Sequence, residues 1–240
     1  MDKLNIKGLV IGEKPAKRCV PISASTQEEI LKEASEIIHT KAQLVEWRCD
    51  CYEDCKNVLK VVDTLKKLSA ILVNLPLIFT FRTSNEGGKV KITSSEYLLL
   101  YKTAMLSKNV DLIDIEYMRE EDTVHNLIHH AKTSGIAVIL SHHDFDSTPP
   151  LDKIVNRFLM MKDMGAQICK VAYMPRNEED VCKMKEACMV AKEKSLCFIG
   201  ISMGELGLPT RKEASTLGSS ITFVAYKQES APGQISVEEI

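Results

Sequence analysis

An α/β fold closed as a (β/α)8 barrel of the TIM type is the architecture this sequence predicts, and three observations carry the prediction. The chain has 240 residues, 45% of them hydrophobic, close to the roughly 250 residues typical of one such barrel. Short apolar runs alternate with helical patterns, about one strand-plus-helix unit apart. Several of those runs are continuously apolar, as strands buried on both faces are. Residues 1–240 are therefore expected to form a single barrel domain.

The candidate strands, in order, are Cys19–Ile22, Leu44–Arg48, Leu77–Arg82, Leu112–Tyr117, Ile136–Ser141, Ala166–Tyr173, Leu196–Ser202 and Ile221–Ala225. Ahead of them, Ile6 and Leu9–Ile11 suggest an extra β-hairpin that caps the bottom of the barrel. After the first strand, Ile30, Leu31, Ala34, Ile37 and Ile38 share one helical face behind the capping box Thr26-x-x-Glu29. A second box, Thr93-x-x-Glu96, opens the helix that carries Leu98 to Leu106. Pro149-Pro150 starts a helix at Leu151, and Asn177 is placed to cap another from Glu178. An open doubly wound sheet is the alternative, but no Gly-rich phosphate loop follows the first strand.

Charge is nearly balanced, with 31 Lys+Arg against 33 Asp+Glu. No broad basic field exists to attract nucleic acid or an anionic membrane, so any anion recognition is local. The opening residues Met1-Asp2-Lys3-Leu4-Asn5 lead into no apolar core of a signal peptide. The longest uncharged run, Leu68 to Phe81, contains Asn74 and Pro76 and is too short to span a bilayer. Eight scattered cysteines read as reduced thiols, which predicts a cytoplasmic protein.

Catalytic groups of a barrel gather where strands end and the following loops begin. Ionisable residues cluster there in this sequence: Glu46-Trp47-Arg48, then Arg82-Thr83 with Glu86 beyond it, then Asp114 and Glu116, Ser141-His142-His143-Asp144, Lys170, and finally Arg211 after Ser202-Met203-Gly204. Lys170 is the most informative. Its strand, Ile168-Cys169-Lys170-Val171-Ala172, carries no other charge. An unpaired buried ammonium lowers its pKa and becomes a nucleophile. Snorkelling from an edge strand, or a buried ion pair, are the other readings. Adjacent strand residues face opposite ways, so one of His142 and His143 enters the barrel mouth with Lys170. An acid–base role suits that histidine better than metal binding, since no H-x-x-H or H-E-x-x-H pattern is present. His129-His130 reads as helix surface. Cys49-x-Cys51-x-x-x-Cys55 lacks a C-x-x-C pair, so it reads as reduced thiols near a loop. Met160, Met161 and Met164 read as helix packing. Arg48, Arg82 and Arg211 at separate strand ends imply an anionic, oxygen-rich small molecule.

These blocks, in this order, resemble the type I 3-dehydroquinate dehydratase family over essentially the whole chain. The resemblance rests on Glu46-Trp47-Arg48-Cys49-Asp50, Phe81-Arg82-Thr83 with Glu86-Gly87-Gly88, Asp114-Ile115-Glu116 and Ser141-His142-His143-Asp144-Phe145. It continues through Lys170-Val171-Ala172, Ser202-Met203-Gly204 to Arg211, and Ser230-Ala231-Pro232-Gly233-Gln234. It implies a barrel enzyme of the shikimate pathway, towards chorismate and aromatic amino acids, that acts on 3-dehydroquinate as a homodimer, with no metal and no cofactor. By that resemblance Lys170 forms the Schiff base, His143 is the general acid and base, and Glu86 orients or tunes it. Arg211 holds the C1 carboxylate, while Glu46, Arg48 and Arg82 position the ring hydroxyls. Ser230 and Gln234 close over the substrate from a lid spanning Gln228 to Gln234. One position departs from the pattern: Pro21 stands where some relatives carry a small hydroxylated residue. A class I aldolase also uses a strand lysine, but Arg211 and the lid are harder to place in it. A non-catalytic barrel that binds a small acid is the rival from another class.

Overall fold

The computed structural model describes residues 3–227 and 229–239; Gln228, the first residue of the expected lid, and Ile240 lie outside the described residues. The chain opens with two short strands, β1 (Leu4–Ile6) and β2 (Leu9–Ile11), paired antiparallel as the expected hairpin. Seven units of strand then helix follow: β3 (Lys17–Ile22) with α1 (Gln27–Ile37), β4 (Leu44–Arg48) with α2 (Val58–Ile71), β5 (Leu77–Thr80) with α3 (Ser94–Leu106), β6 (Leu112–Glu116) with α4 (Glu121–Ser134), β7 (Ala137–Asp144) with α5 (Leu151–Asp163), β8 (Ile168–Tyr173) with α6 (Glu178–Glu193), and β9 (Phe198–Ser202) with the short α7 (Leu208–Lys212) and α8 (Ala214–Leu217). β10 (Ile221–Ala225) is the eighth barrel strand. A two-residue strand, β11 (Ile235–Ser236), takes the place of a further helix and pairs parallel with β10.

All eight expected strands are present, in one parallel ladder ordered β10-β3-β4-β5-β6-β7-β8-β9. The curled sheet brings its end strands together at a seam instead of a ladder. Ser220 N, just before β10, donates to Phe198 O on β9 (2.7 Å). β3 starts two residues before the apolar run, at the buried Lys17, and β7 runs on through His142 and His143 to Asp144. Lys17 is a second lysine on a buried strand, but it sits at the N-terminal end of β3, the end of the barrel opposite the C-terminal strand ends.

Side chains of a strand alternate between faces, and the alternation divides the core in two. Outward residues such as Val45, Trp47, Phe79, Ile113, Leu140 and Val171 pack against the helices. Trp47, Phe79 and Tyr101 form edge-on pairs with centroids 5.8 and 5.1 Å apart, each contributing about 0.5–1.5 kcal/mol beyond its buried area. Inward residues Cys19, Leu44, Ile78, Leu112, Ile139, Ile168, Ile199 and Ile221 fill the lower barrel. Ile11 seals that layer from beneath, with Leu4, Ile6 and Leu9 packed on it. An apolar plug therefore closes the bottom, which leaves the other end for polar chemistry.

The helix boundaries follow local signals. Both capping boxes form, Thr26 with Glu29 and Thr93 with Glu96. Asn177 accepts from Asp180 N at the start of α6, and α5 begins straight after Pro150. Ile38 departs from its expected place on the apolar face of α1. It is the C-cap residue and 42% exposed, because the helix ends at Ile37 before its side chain can turn inward. Of the two methionines within α5, Met161 is fully buried, whereas Met160 is 53% exposed; Met164 is the C-cap residue.

Candidate active site

Period two along each strand stacks two polar layers above the apolar plug. Leu44 is followed inward by Glu46 and Arg48, Ile78 by Thr80 and Arg82, Leu112 by Asp114 and Glu116, Ile139 by Ser141 and His143, and Ile168 by Lys170 and Ala172. The register aligns Ser141 with Lys170 and His143 with Ala172. These strand ends surround a cleft. Glu46, Arg48, Arg82, Glu86, His143, Lys170, Arg211, Ser230 and Gln234 all line it, so every site residue expected from the sequence meets in one place. Gly87, Phe145, Ala172, Ile201, Met203, Phe223 and Ala231 complete the wall.

Lys170 is buried but not unpaired, which corrects the argument from its own strand. Its Nζ donates to Asp114 Oδ2 at 2.9 Å, lies 3.8 Å from Glu46 Oε1, and sits 4.2 Å from the centroid of the Phe223 ring. The countercharges come from β6 and β4, which a reading of β8 alone does not see.

Two of the three arginines are also engaged within the protein. Arg48 forks onto Asp50, Nε to Oδ1 and Nη2 to Oδ2, both 2.8 Å. Arg82 donates from Nη2 to Asp114 Oδ1 (2.8 Å) and from Nη1 to Ser141 Oγ (3.0 Å) and Glu116 Oε1 (3.3 Å). Glu116 in turn accepts from Thr83 N and Oγ1, which fixes the start of the following loop. Arg211 differs. Its guanidinium donates only to carbonyls, those of Phe223 (3.3 Å) and Pro232 (3.2 Å), and its buried Nε has no hydrogen-bond partner among the described residues. Burial pulls Arg211 down to about 10, opposed by Glu229. A buried guanidinium with no carboxylate in hydrogen-bond contact is the group in this cleft equipped to receive an anionic ligand.

His143 and Glu86 form a dyad. Nδ1 of His143 stands 3.0 Å from Glu86 Oε2, and the same oxygen accepts the backbone N–H of His143 at 3.0 Å. Burial holds the imidazole well below its ordinary pKa, and the cations Arg82, Lys170 and Arg48 push the same way. Burial likewise pushes the Glu86 carboxyl up to about 8, against the pull of Arg82. Both shifts favour a neutral pair, with Nε2 of the ring left to exchange protons in the cleft. His142 points out of the barrel. Its Nδ1 lies 3.2 Å from the Tyr173 hydroxyl and 2.8 Å from Arg157 Nη1. Burial, then Arg157, pull it down to about 4.

Of the segment expected to form a lid, Ser230, Ala231 and Gln234 line the cleft. Ser230 N donates to Gln234 Oε1 (2.9 Å), Gln234 Nε2 donates to Ser230 Oγ (3.0 Å), and Gly204 N donates to Pro232 O (3.1 Å). Gly233 adopts φ +75°, and a Cβ there would lie 2.4 Å from Gly204 O, so only glycine permits this approach.

Asp50 and Asp114 stand in the recognised blocks but carry no role on the sequence alone, and Phe223 carries none either. The alternation Leu-Ile-Asp-Ile-Glu on β6 is the signal that points Asp114 and Glu116 inward. Phe223 reads as an ordinary core residue until its ring is found over Lys170. Cys49, Cys51 and Cys55 are buried thiols, and among the described residues no three or more His, Cys, Asp or Glu stand together as a metal site would require.

A family model described as type I 3-dehydroquinase matches residues 18–240. The chain is similar to a 3-dehydroquinate dehydratase of Clostridium novyi, 36% identical over 242 residues that cover 100% of this chain and 96% of that protein. A 3-dehydroquinate dehydratase of Listeria monocytogenes is 37% identical over 241 residues, with the same coverage of 100% and 96%. Among solved structures, the type I 3-dehydroquinate dehydratase of Clostridium difficile with covalently modified comenic acid superposes with a TM-score of 0.96 at 36% identity, covering 99% of this chain and 94% of that one. The 3-dehydroquinate dehydratase of Enterococcus faecalis gives a TM-score of 0.90 at 36% identity, over 92% and 93% of the two chains.

Proposed function

The chain belongs to the type I 3-dehydroquinase family, and from that premise we propose that it dehydrates 3-dehydroquinate to 3-dehydroshikimate through a Schiff base on Lys170. The observation that carries this reading is a buried strand lysine in the same cleft as a histidine held by the Glu86 carboxyl and a guanidinium with no carboxylate in hydrogen-bond contact among the described residues.

Lys170 adds to the C3 ketone and water is lost, which leaves an iminium. His143 Nε2 removes a proton from C2, and the iminium takes up the electron pair as an enamine. The enamine then expels the C1 hydroxyl, which leaves as water with a proton returned by His143. Hydrolysis of the conjugated iminium frees the product and the lysine. Glu86 holds the ring of His143 and shares its charge state. Arg211 binds the C1 carboxylate. Glu46, Arg48 and Arg82 position the ring hydroxyls, the two arginines doing so while held by Asp50 and by Asp114 and Glu116. Ser230 and Gln234 cover the substrate and keep bulk water from the imine.

No metal and no cofactor enter this scheme, because the iminium does the electrophilic work that a metal would otherwise do. The scheme belongs to a homodimeric, cytoplasmic enzyme of the shikimate pathway; eight cysteines held as thiols fit a reducing compartment. Two measurements test it together. Addition of 3-dehydroquinate should give the absorbance of the conjugated enone, and borohydride with substrate or product should inactivate the protein and label Lys170 alone. Label on Lys153 or Lys162, or no absorbance, would overturn the scheme.

A further inference from the structure

We propose that Asp114 is the counter-ion of the Lys170 iminium, a positioning residue that acts from beneath the cleft through the lysine; this rests on the Schiff-base reading above. In barrels of this kind the side chains that fill the interior lie in layers, with the four members of a layer supplied by alternate strands. Here one such layer is Glu46 on β4, Asp114 on β6, Lys170 on β8 and Phe223 on β10. Within it Asp114 and Lys170 touch directly, at 2.9 Å.

Asp114 is the better-placed of the two carboxylates near Nζ. It is fully buried and, unlike Glu46, does not line the cleft, so it has no route to the substrate except through its neighbours. Its Oδ1 is fixed by Arg82 Nη2 and by the Ser141 hydroxyl, which leaves Oδ2 aimed at Nζ. Glu46 Oε1 is 3.8 Å from Nζ and accepts from Thr80 Oγ1 at 2.8 Å. Burial acts to raise the Asp114 carboxyl, but Arg82, Lys170 and Ser141 outweigh it and hold the group well below the usual carboxylate range. It is therefore an anion throughout the working pH range.

The chemistry explains why a fixed anion belongs there. The resting ammonium gives up one proton as its nitrogen forms the new bond to the carbonyl carbon. The carbinolamine hydroxyl takes a proton and leaves as water, and nitrogen keeps one hydrogen and the positive charge. Overall, ammonium plus ketone become iminium plus water. The cation beside Asp114 is thus present before and after the step, and one N–H remains to donate to Oδ2. An opposite charge at this distance in a buried site favours the protonated iminium, the form that accepts electrons from C2. The other charged or titratable groups that face Lys170 are Glu46 and Arg48 from β4, Arg82 from the end of β5, His143 from β7, Cys19 from β3 and Arg211 from α7. Of these, Glu46 is a second anion in ion-pair range of Nζ, but at 3.8 Å against 2.9 Å for Asp114.

The test compares the parent protein with Asp114→Asn, which keeps the size and removes the charge, and with Glu46→Gln. Borohydride trapping of the adduct is followed against pH, alongside kcat and KM. In Asp114→Asn the trapping profile should move to lower pH by about one unit or more, and kcat should fall about 100-fold with KM changed much less. Glu46→Gln should shift the profile less. An unshifted profile in Asp114→Asn, a loss confined to KM, or an equal shift in Glu46→Gln overturns the assignment. A second measurement needs no variant. In parent protein labelled with ¹³C at aspartate carboxyls, the resonance that moves when product is added should remain that of a carboxylate; a protonated carboxyl overturns the proposal. Labelling of Lys170 in the parent reports on the Schiff-base reading itself. A parent that is never labelled removes that reading and this proposal together, whereas a labelled parent with an unshifted variant removes this proposal alone.

Discussion

Glu86 Oε2 holds His143 at two points, the backbone N–H and the ring Nδ1, each at 3.0 Å. A single carboxyl oxygen thereby sets both the strand position and the ring orientation of one residue. The ring can neither rotate nor slide without losing a bond, and Nε2 stays directed away from Glu86.

That constraint separates two adjacent histidines. His143→Ala should slow turnover by about 100-fold or more, the usual contribution of a positioned acid–base group. Borohydride should still label Lys170 slowly in this variant, since the amine remains. His142→Ala removes only contacts to Tyr173 and Arg157 outside the barrel and should be milder. Steady-state kinetics of the two variants decide the matter; equal losses would falsify the assignment of the base.

Glu86 makes a prediction about stability as well as rate. Its folded pKa, about 8, lies above the ordinary 4.5, so the folded state binds the proton more tightly than the unfolded chain does. This group therefore favours folding most at low pH, and its contribution is lost as pH rises from 4.5 to 8. Glu86→Gln lacks that loss. The Tm difference between variant and parent should widen in favour of the variant across this window, when both are measured by thermal denaturation. Its kcat should fall about 10- to 100-fold, the loss typical when the partner that orients a metal-ligating histidine is removed. A constant Tm difference would mean that the carboxyl titrates normally.

Among the described residues Arg211 has carbonyl partners only, so removing it should cost binding and not folding. Arg211→Gln deletes a charge-assisted contact of about 1.5–3 kcal/mol, equivalent to roughly a 10- to 150-fold rise in KM. The ligand-free Tm should stay level or rise, and the Tm increase produced by product should disappear. A large fall in ligand-free Tm would assign the residue to the fold.

Among the described residues, 229–234 are tied to the barrel by Gly204 N to Pro232 O, Arg211 Nη2 to Pro232 O and a long bond from Arg48 Nη1 to Ser230 O (3.5 Å). Product should protect residues 229–234 from limited proteolysis. Gln234→Ala should mainly raise KM, with a smaller loss of kcat than His143→Ala. Equal cleavage with and without product, together with unchanged kinetics in Gln234→Ala, reduces the segment to a connecting turn.

The sequence by itself determined the eight strands, the capped helices and the hairpin, because these depend on periodicity and on local hydrogen bonds that a short window contains. It also brought nine site residues within reach of recognition, since catalytic groups of a barrel sit at strand ends and their blocks recur in order. Only the tertiary structure decided how those charges are shared. Lys170 read as unpaired on its own strand because its partner Asp114 is 56 residues away in the chain. Arg48, Arg82 and Arg211 look alike as letters, yet Asp50 occupies the first, Asp114 and Glu116 occupy the second, and the third has carbonyls alone. Phe223 gave no sign of a role until barrel closure set its ring beside Nζ. A buried charge is governed by whatever lies within a few ångströms of it, and in a closed barrel those neighbours come from alternate strands that no local window spans.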